Sequence, residues 1–134
     1  MSCRSILVVE DDEDIRRQVV QALEAEDHTV HFAENGKVAL DFLLNAKPED
    51  LPGCIILDLM MPIMDGKTMM ETIDKHHQER LGMIPVIIAT AKGSSVDPTN
   101  IPQSVVRIQK PFELDELYEA VEKHCGQPIK RIKS

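Results

Sequence analysis

The stretch from Cys54 to Gly66, CIILDLMMPIMDG, constrains the fold more than any other. Cys54-Ile55-Ile56-Leu57 is a short, β-branched, uninterrupted apolar run, the pattern of a strand buried on both faces. One carboxylate, Asp58, ends the run, and Met60-Met61-Pro62 follows, a turn that neither helix nor strand continues through. An acid at the carboxyl end of a buried parallel strand stands where open α/β sheets gather their ligands. A lone strand-end Asp is more often a turn starter, so the weight falls on what other strand ends supply.

Four further apolar or alternating runs carry strand patterns. Ile6-Leu7-Val8-Val9 ends at Glu10-Asp11, and residues 85–90, PVIIAT, end at the hydroxyl of Thr90. Residues 105–109, VVRIQ, end at Lys110-Pro111, and residues 29–33 alternate polar and apolar as a strand near a sheet edge does. Between them lie helical periodicities. Ile15, Val19, Ala22 and Leu23 recur on one face behind Asp12 and Asp14, whose carboxylates suit a helix start. Ala39, Phe42 and Leu43 mark a second helix over 38–44. Met69, Met70 and Ile73 mark a third, running from Gly66 to about Arg80 and stopped by Gly82. Leu114, Leu117 and Val121 mark a last one over 113–124. Two prolines and a glycine within 47–53 predict a loop. Pro98 and Pro102 leave residues 93–104 a loop, or at most a turn or two, where alternation calls for a helix. Strands alternating with helices predict a doubly wound five-stranded parallel sheet, flavodoxin-like with order 2-1-3-4-5, its fourth helix short or missing.

At 134 residues the chain is one domain. We expect it to occupy residues 1–126, with 127–134 as a short basic, disordered tail. No apolar run approaches membrane-spanning length and no signal-peptide pattern opens the chain, so the expected location is cytoplasmic, without membrane contact. A formal charge of −8 speaks against nucleic-acid binding by this domain. Cys3, Cys54 and Cys125 are odd in number, far apart and without CxxC spacing, so buried or incidental thiols are expected rather than a disulfide or zinc site. The five histidines lack ligand spacing and are read as solvated surface.

The chemistry lies in Glu10-Asp11, Asp58, Thr90 and Lys110. Across the switch point of such a sheet the first and third strands are neighbours, which brings their acids into one crevice. Carboxylates that close repel one another, and magnesium, a hard cation taking carboxylate, carbonyl and water oxygens, relieves the repulsion. Asp58 is then placed as a carboxylate nucleophile toward phosphorus, with Thr90 and Lys110 as hydroxyl and ammonium partners of the transferred phosphoryl oxygens. A salt bridge neutralising the acids is the plainer role for Lys110.

ILVVEDD at residues 6–12, ILDLMMPIMDG at 56–66, PVIIATA at 85–91 and KPF at 110–112 together resemble the receiver domain of bacterial two-component response regulators over roughly residues 5–125. The resemblance implies a CheY-like phosphoacceptor in phosphorelay signal transduction, not an enzyme beyond its own phosphorylation and dephosphorylation. It implies that Asp58 accepts a phosphoryl group from a histidine kinase or histidine phosphotransfer protein with Mg2+. Glu10, Asp11 and Asp58, with the backbone carbonyl of Met60, would hold the metal. Thr90 would be the switch hydroxyl, and Lys110 would contact the phosphoryl group ahead of a cis peptide to Pro111. Met60 and Lys92 would tune the lifetime of the acyl phosphate, and an unidentified protein would read the altered surface. Receivers usually carry an aromatic residue three positions before the lysine, where this chain has Arg107. Arg107 and the proline-broken 93–104 segment replace the usual switch elements, so phosphorylation is expected to order or reshape that segment.

Other functions fit less well. An aspartyl-phosphate hydrolase needs a second Asp where Met60 stands, a flavin module needs a Ser, Thr or Gly-rich first loop, and GxxxxGK[ST] is absent. Two alternatives stay open: a receiver belonging to a longer regulator, and a receiver-shaped binding module acting without phosphorylation.

Overall fold

A computed structural model of the chain describes residues 2–59, 64–91, 103–110 and 112–128. Five strands form one parallel sheet: β2 (Ile6–Val9), β3 (Val30–Ala33), β4 (Cys54–Leu57), β5 (Val86–Ala91) and β6 (Ser104–Lys110). Their spatial order is β3-β2-β4-β5-β6, the 2-1-3-4-5 order expected once the strands of this sheet are numbered by themselves. The order reverses between β2 and β4, and in a doubly wound sheet that switch point opens a crevice at the carboxyl ends. The alternating run at β3 lies on the edge, where one face is half wet.

Helices α1 (Glu13–Ala25), α2 (Gly36–Asn45), α3 (Gly66–His76), α4 (Gln78–Leu81) and α5 (Leu114–His124) cover the sheet. Two apolar clusters, one per face, hold the layers. Leu7, Val9, Ile55, Leu57 and Ile88 meet Leu43 of α2 and Met69, Met70 and Ile73 of α3. Ile6, Val8, Ile56, Ile87 and Ile108 meet Val19 and Leu23 of α1 and Leu117 and Val121 of α5. Alternation along each strand divides its residues between the clusters, as period-2 geometry requires.

The helix starts are chemically marked. Asp12, Asn35 and Asp65 each accept a hydrogen bond from the backbone N–H three residues on, satisfying donors that a helix N-terminus leaves orphaned. Glu113 and Glu116 form a reciprocal capping box on α5.

Several local expectations change. The helix read over 66–80 is two helices, broken at His77, whose φ of −135° leaves helical geometry and whose carbonyl then starts α4. The 47–53 loop contains a 3-10 turn at Pro48–Asp50, with Pro48 at its permissive first position. Leu114, read as a core position, is exposed in the first turn of α5, a turn before the buried Leu117. His28 is half-buried rather than solvated, its Nδ1 enclosed. Two strands had no sequence signal: β1 (Ser2–Cys3) and β7 (Gln127–Pro128) form a separate parallel pair that carries structure two residues past position 126. That pairing brings Cys3 to Cys125, Cα atoms 4.9 Å apart, and the two form a disulfide in place of the expected free thiols. The spacing of 122 residues hid a contact that only tertiary folding creates. The expectation for residues 93–104 falls mainly on 92–102, outside the described residues, as do Met60, Lys92, Pro111 and the tail from 129.

Candidate functional site: three strand ends around a buried lysine

Register places the chemistry. Val9 pairs with Leu57 across β2 and β4, so the next residue on each strand, Glu10 and Asp58, leaves the sheet at the same level. The Asp58 N–H donates to the Val9 carbonyl at 3.0 Å and the Glu10 N–H to the Ala33 carbonyl at 3.0 Å, extending the ladders one residue and fixing both backbones. On the far side Ala91 pairs with Lys110 at the end of β6, and Thr90 pairs with Gln109 one step before. Glu10, Asp58 and Lys110 thus come from three separate strands, with β4 between β2 and β5.

Both acids are buried, Glu10 at 3% exposure and Asp58 at 6%. The Lys110 ammonium forms a tight ion pair with Glu10 Oε1 and a second, at 3.4 Å, with Asp58 Oδ2. Burial pushes the Glu10 carboxyl up to about 8, its hydrogen bond and repulsion with Asp58 push the same way, and Lys110 opposes them. Glu10 Oε2 is enclosed without a hydrogen-bond partner among the described residues. Asp11 is exposed at the rim, and ligand oxygens of Glu10, Asp11 and Asp58 lie within 4.8 Å of one another. Three hard oxygen donors, one with an enclosed orphaned atom, fit magnesium rather than a thiolate- or imidazole-seeking metal.

Two supporting residues carry no motif. Arg16, a turn into α1, donates from its guanidinium to the Glu10 carbonyl at 3.0 Å and lies 5.5 Å over the ring of the exposed Phe32. It ties the acidic loop to the edge strand; in sequence it reads as one polar residue on a wet helix face. Gly66 lets α3 start directly under the Asp58 loop, where a Cβ would stand 2.6 Å from the Asp58 carbonyl oxygen and 3.0 Å from Leu59 Cα. A groove of about 660 Å3, lined by Ile15, Gln18, Val19, Ala22, Phe112 and Leu114, runs along α1 and reaches Lys110. Arg107 is exposed on β6 opposite Ile88.

The model of the response regulator receiver domain matches residues 6–122, and the chain belongs to that family. The transcriptional regulatory protein SrrA of Staphylococcus aureus is 37% identical over 92 residues, 69% of this chain and 34% of SrrA. The chain therefore spans about a third of the length of the curated relatives it matches. Among solved structures, the Francisella response regulator 1452 receiver domain superposes with a TM-score of 0.75 at 28% identity, covering 90% of this chain and 94% of that one. A CheY-like response regulator receiver domain protein from Methanospirillum hungatei superposes equally well, TM-score 0.75 at 28% identity, covering 91% and 94%.

Proposed function

We propose that the chain is a phosphoacceptor signalling domain in which Asp58 takes a phosphoryl group from a histidine kinase or histidine phosphotransfer protein. The observation that carries the reading is the buried triangle of Glu10, Asp58 and Lys110, built from three strand ends, in which one ammonium group pairs with both acids. A salt bridge needed only for stability gains little from such burial, since desolvation offsets the attraction. A site that must bind an incoming dianion has reason to hold a cation and two acids ready.

In this mechanism an Asp58 carboxylate oxygen attacks phosphorus, the bond to the donor nitrogen breaks, and the imidazole leaves with its electron pair. Lys110 shifts from the carboxylates to a phosphoryl oxygen, and the Thr90 hydroxyl donates to another. Mg2+, held by Glu10, Asp11, Asp58 and the Met60 carbonyl, supplies charge neutralisation when bound. Arg16 keeps the Glu10 backbone in register, and the groove along α1 gives a phosphodonor protein access to the site. Added charge of about −1.5 to −2, by analogy with hydroxyl phosphates, then biases the surface that a downstream protein binds. The working unit is residues 1–126, acting in the cytoplasm; among the described residues no helix is long and apolar enough to cross a membrane.

The test is intact-protein mass after incubation with acetyl phosphate and Mg2+. One added phosphoryl group is expected on the wild type, and none on Asp58→Asn or without the metal. A folded wild type that takes no phosphate, with rapid hydrolysis excluded by a beryllofluoride-binding assay, would instead make this a receiver-shaped binding module.

A further inference from the structure

At the opposite end of β4 from Asp58, three cysteines meet. Cys54 opens β4, four residues before Asp58 and so about 13 Å away along the strand. Its Sγ lies within 4.8 Å of those of Cys3 and Cys125. All three residues are nearly sealed, at 0%, 1% and 4% exposure. Cys3 and Cys125 are joined, and Cys54 is a free thiol. The fold makes room for the bond: at Gly53 a Cβ would come within 2.7 Å of Cys125 Sγ.

We propose that Cys3, Cys54 and Cys125 form a redox-responsive latch, a reversible disulfide that fastens the β1–β7 pair beneath the sheet, with Cys54 as an alternative partner for either sulfur.

Three features separate a latch from a permanent staple. The bond joins β1 to the cap of α5, and the strand pair it fastens is slight, since β1 and β7 are two residues each and form a sheet of their own. A pair that short has little stability without help, so it opens locally while the five-stranded sheet stays folded. Closed, the burial keeps solvent thiols out; opened, it exposes the sulfurs to them. The third thiol also supplies a route between pairings. A Cys54 thiolate attacking one sulfur of the disulfide forms a new bond there and releases the other as thiolate, with no net change of oxidation state. In the closed state burial pushes the Cys54 thiol up to about 12, so exchange waits for the opening that rehydrates it.

Net reduction uses two molecules of a small thiol such as glutathione. The first thiolate attacks one protein sulfur and expels the other cysteine as thiolate. The second attacks the mixed disulfide, releasing the remaining cysteine and oxidised glutathione, and two electrons pass to the protein sulfurs. Oxidation is the reverse. In a reducing compartment a bond of this kind serves as a sensor more often than as a staple. Locking β1 to the end of α5 holds the amino end of the chain against the last helix across 122 positions of sequence.

The experiment equilibrates the native chain in glutathione buffers of graded ratio, quenches with N-ethylmaleimide in denaturant, and counts adducts by intact mass. The wild type should pass from one adduct in oxidising buffer to three in reducing buffer, with the change reversed on returning to the first buffer. Its melting temperature should fall by on the order of 10 °C on reduction, as loss of so long a cross-link implies. Cys54→Ala should pass from zero adducts to two. Cys3→Ala and Cys125→Ala should each still close a disulfide through Cys54, giving zero adducts when oxidised. Three adducts in every buffer, or one adduct that persists under excess thiol without denaturant, overturns the latch. Single variants that keep two adducts in oxidising buffer overturn the role of Cys54. None of these readouts involves Asp58, so they stand or fall apart from the phosphoacceptor reading.

Discussion

At the scale of single residues the site is a contest for one cation. Lys110 serves two buried carboxyl groups, and Glu10 keeps an oxygen without a hydrogen-bond partner among the described residues. Its carboxyl, raised to about 8, holds a proton in the folded chain that the unfolded chain has released above its ordinary value of 4.5. The stabilisation from this group is therefore complete below pH 4.5 and is lost as pH rises toward 8. Among the described residues the groups facing it are Asp58 just after β4, Lys110 at the end of β6 and Asp11 from its own loop, with Arg16 of α1 on its carbonyl. In metal-free buffer Glu10→Gln should be more stable than the wild type at pH 8 by on the order of a few kcal/mol, and equal to it near pH 4.5. Urea titrations across that range decide it; a gap that does not widen with pH would mean Glu10 is ionised throughout. That Glu10, Asp11, Asp58 and Lys110 come together was legible in sequence because each stands where a strand pattern ends. Arg16 and Cys125 were not, since a guanidinium reaching a carbonyl six residues back and a thiol bonded 122 residues away leave no periodic trace.

At the scale of elements, the helix starts do more than cap. The strand over 54–57 and the helix start at Gly66 were readable, the turn between them falls on residues outside those described, and Asp65, which carried no sequence expectation, caps α3. What the pattern did not show is how closely α3 returns to the strand end. Gly66 donates its N–H to the Leu59 carbonyl at 3.2 Å, and its missing side chain admits the Asp58 carbonyl. Gly66→Ala cannot be absorbed by a flexible side chain, because the two nearest atoms it meets, the Asp58 carbonyl oxygen and Leu59 Cα, are backbone. The variant should lose about 1–3 kcal/mol of stability and take up phosphate more slowly than the wild type at equal folded fraction. Normal stability and normal phosphate uptake together would show that the Asp58 loop tolerates displacement. At the other end of α3 the break at His77 was missed because Gln78, Glu79, Arg80 and Leu81 keep helix-compatible chemistry, and the backbone turn at His77 divides them from α3.

At the scale of the whole molecule, two apolar layers hold a rigid sheet whose upper end is electrostatically incomplete. The fold was legible because strand and helix periods alternate except over the proline-broken 93–104 segment; the β1–β7 pair was not, because two residues carry no period. A sheet that pairs two buried acids with Lys110 should be stabilised by any ligand that binds the folded state and not the unfolded one. Mg2+ at about 100 times its dissociation constant should add about 2.7 kcal/mol. Because the cation requires Glu10 as carboxylate, its affinity should rise with pH until Glu10 has titrated, so the stabilisation at fixed Mg2+ should be larger at pH 8.5 than at pH 6.5. Glu10→Gln should flatten that dependence, and Asp11→Asn should weaken binding at both pH values. The thermal shift with Mg2+, measured at the two pH values for the three proteins, tests whether the acids act as one cation site. A shift independent of pH in the wild type would place the metal on Asp11 and Asp58 without Glu10. The lysine–glutamate pair would then be a permanent brace, and the site would answer to phosphate through Asp58 and Lys110 alone.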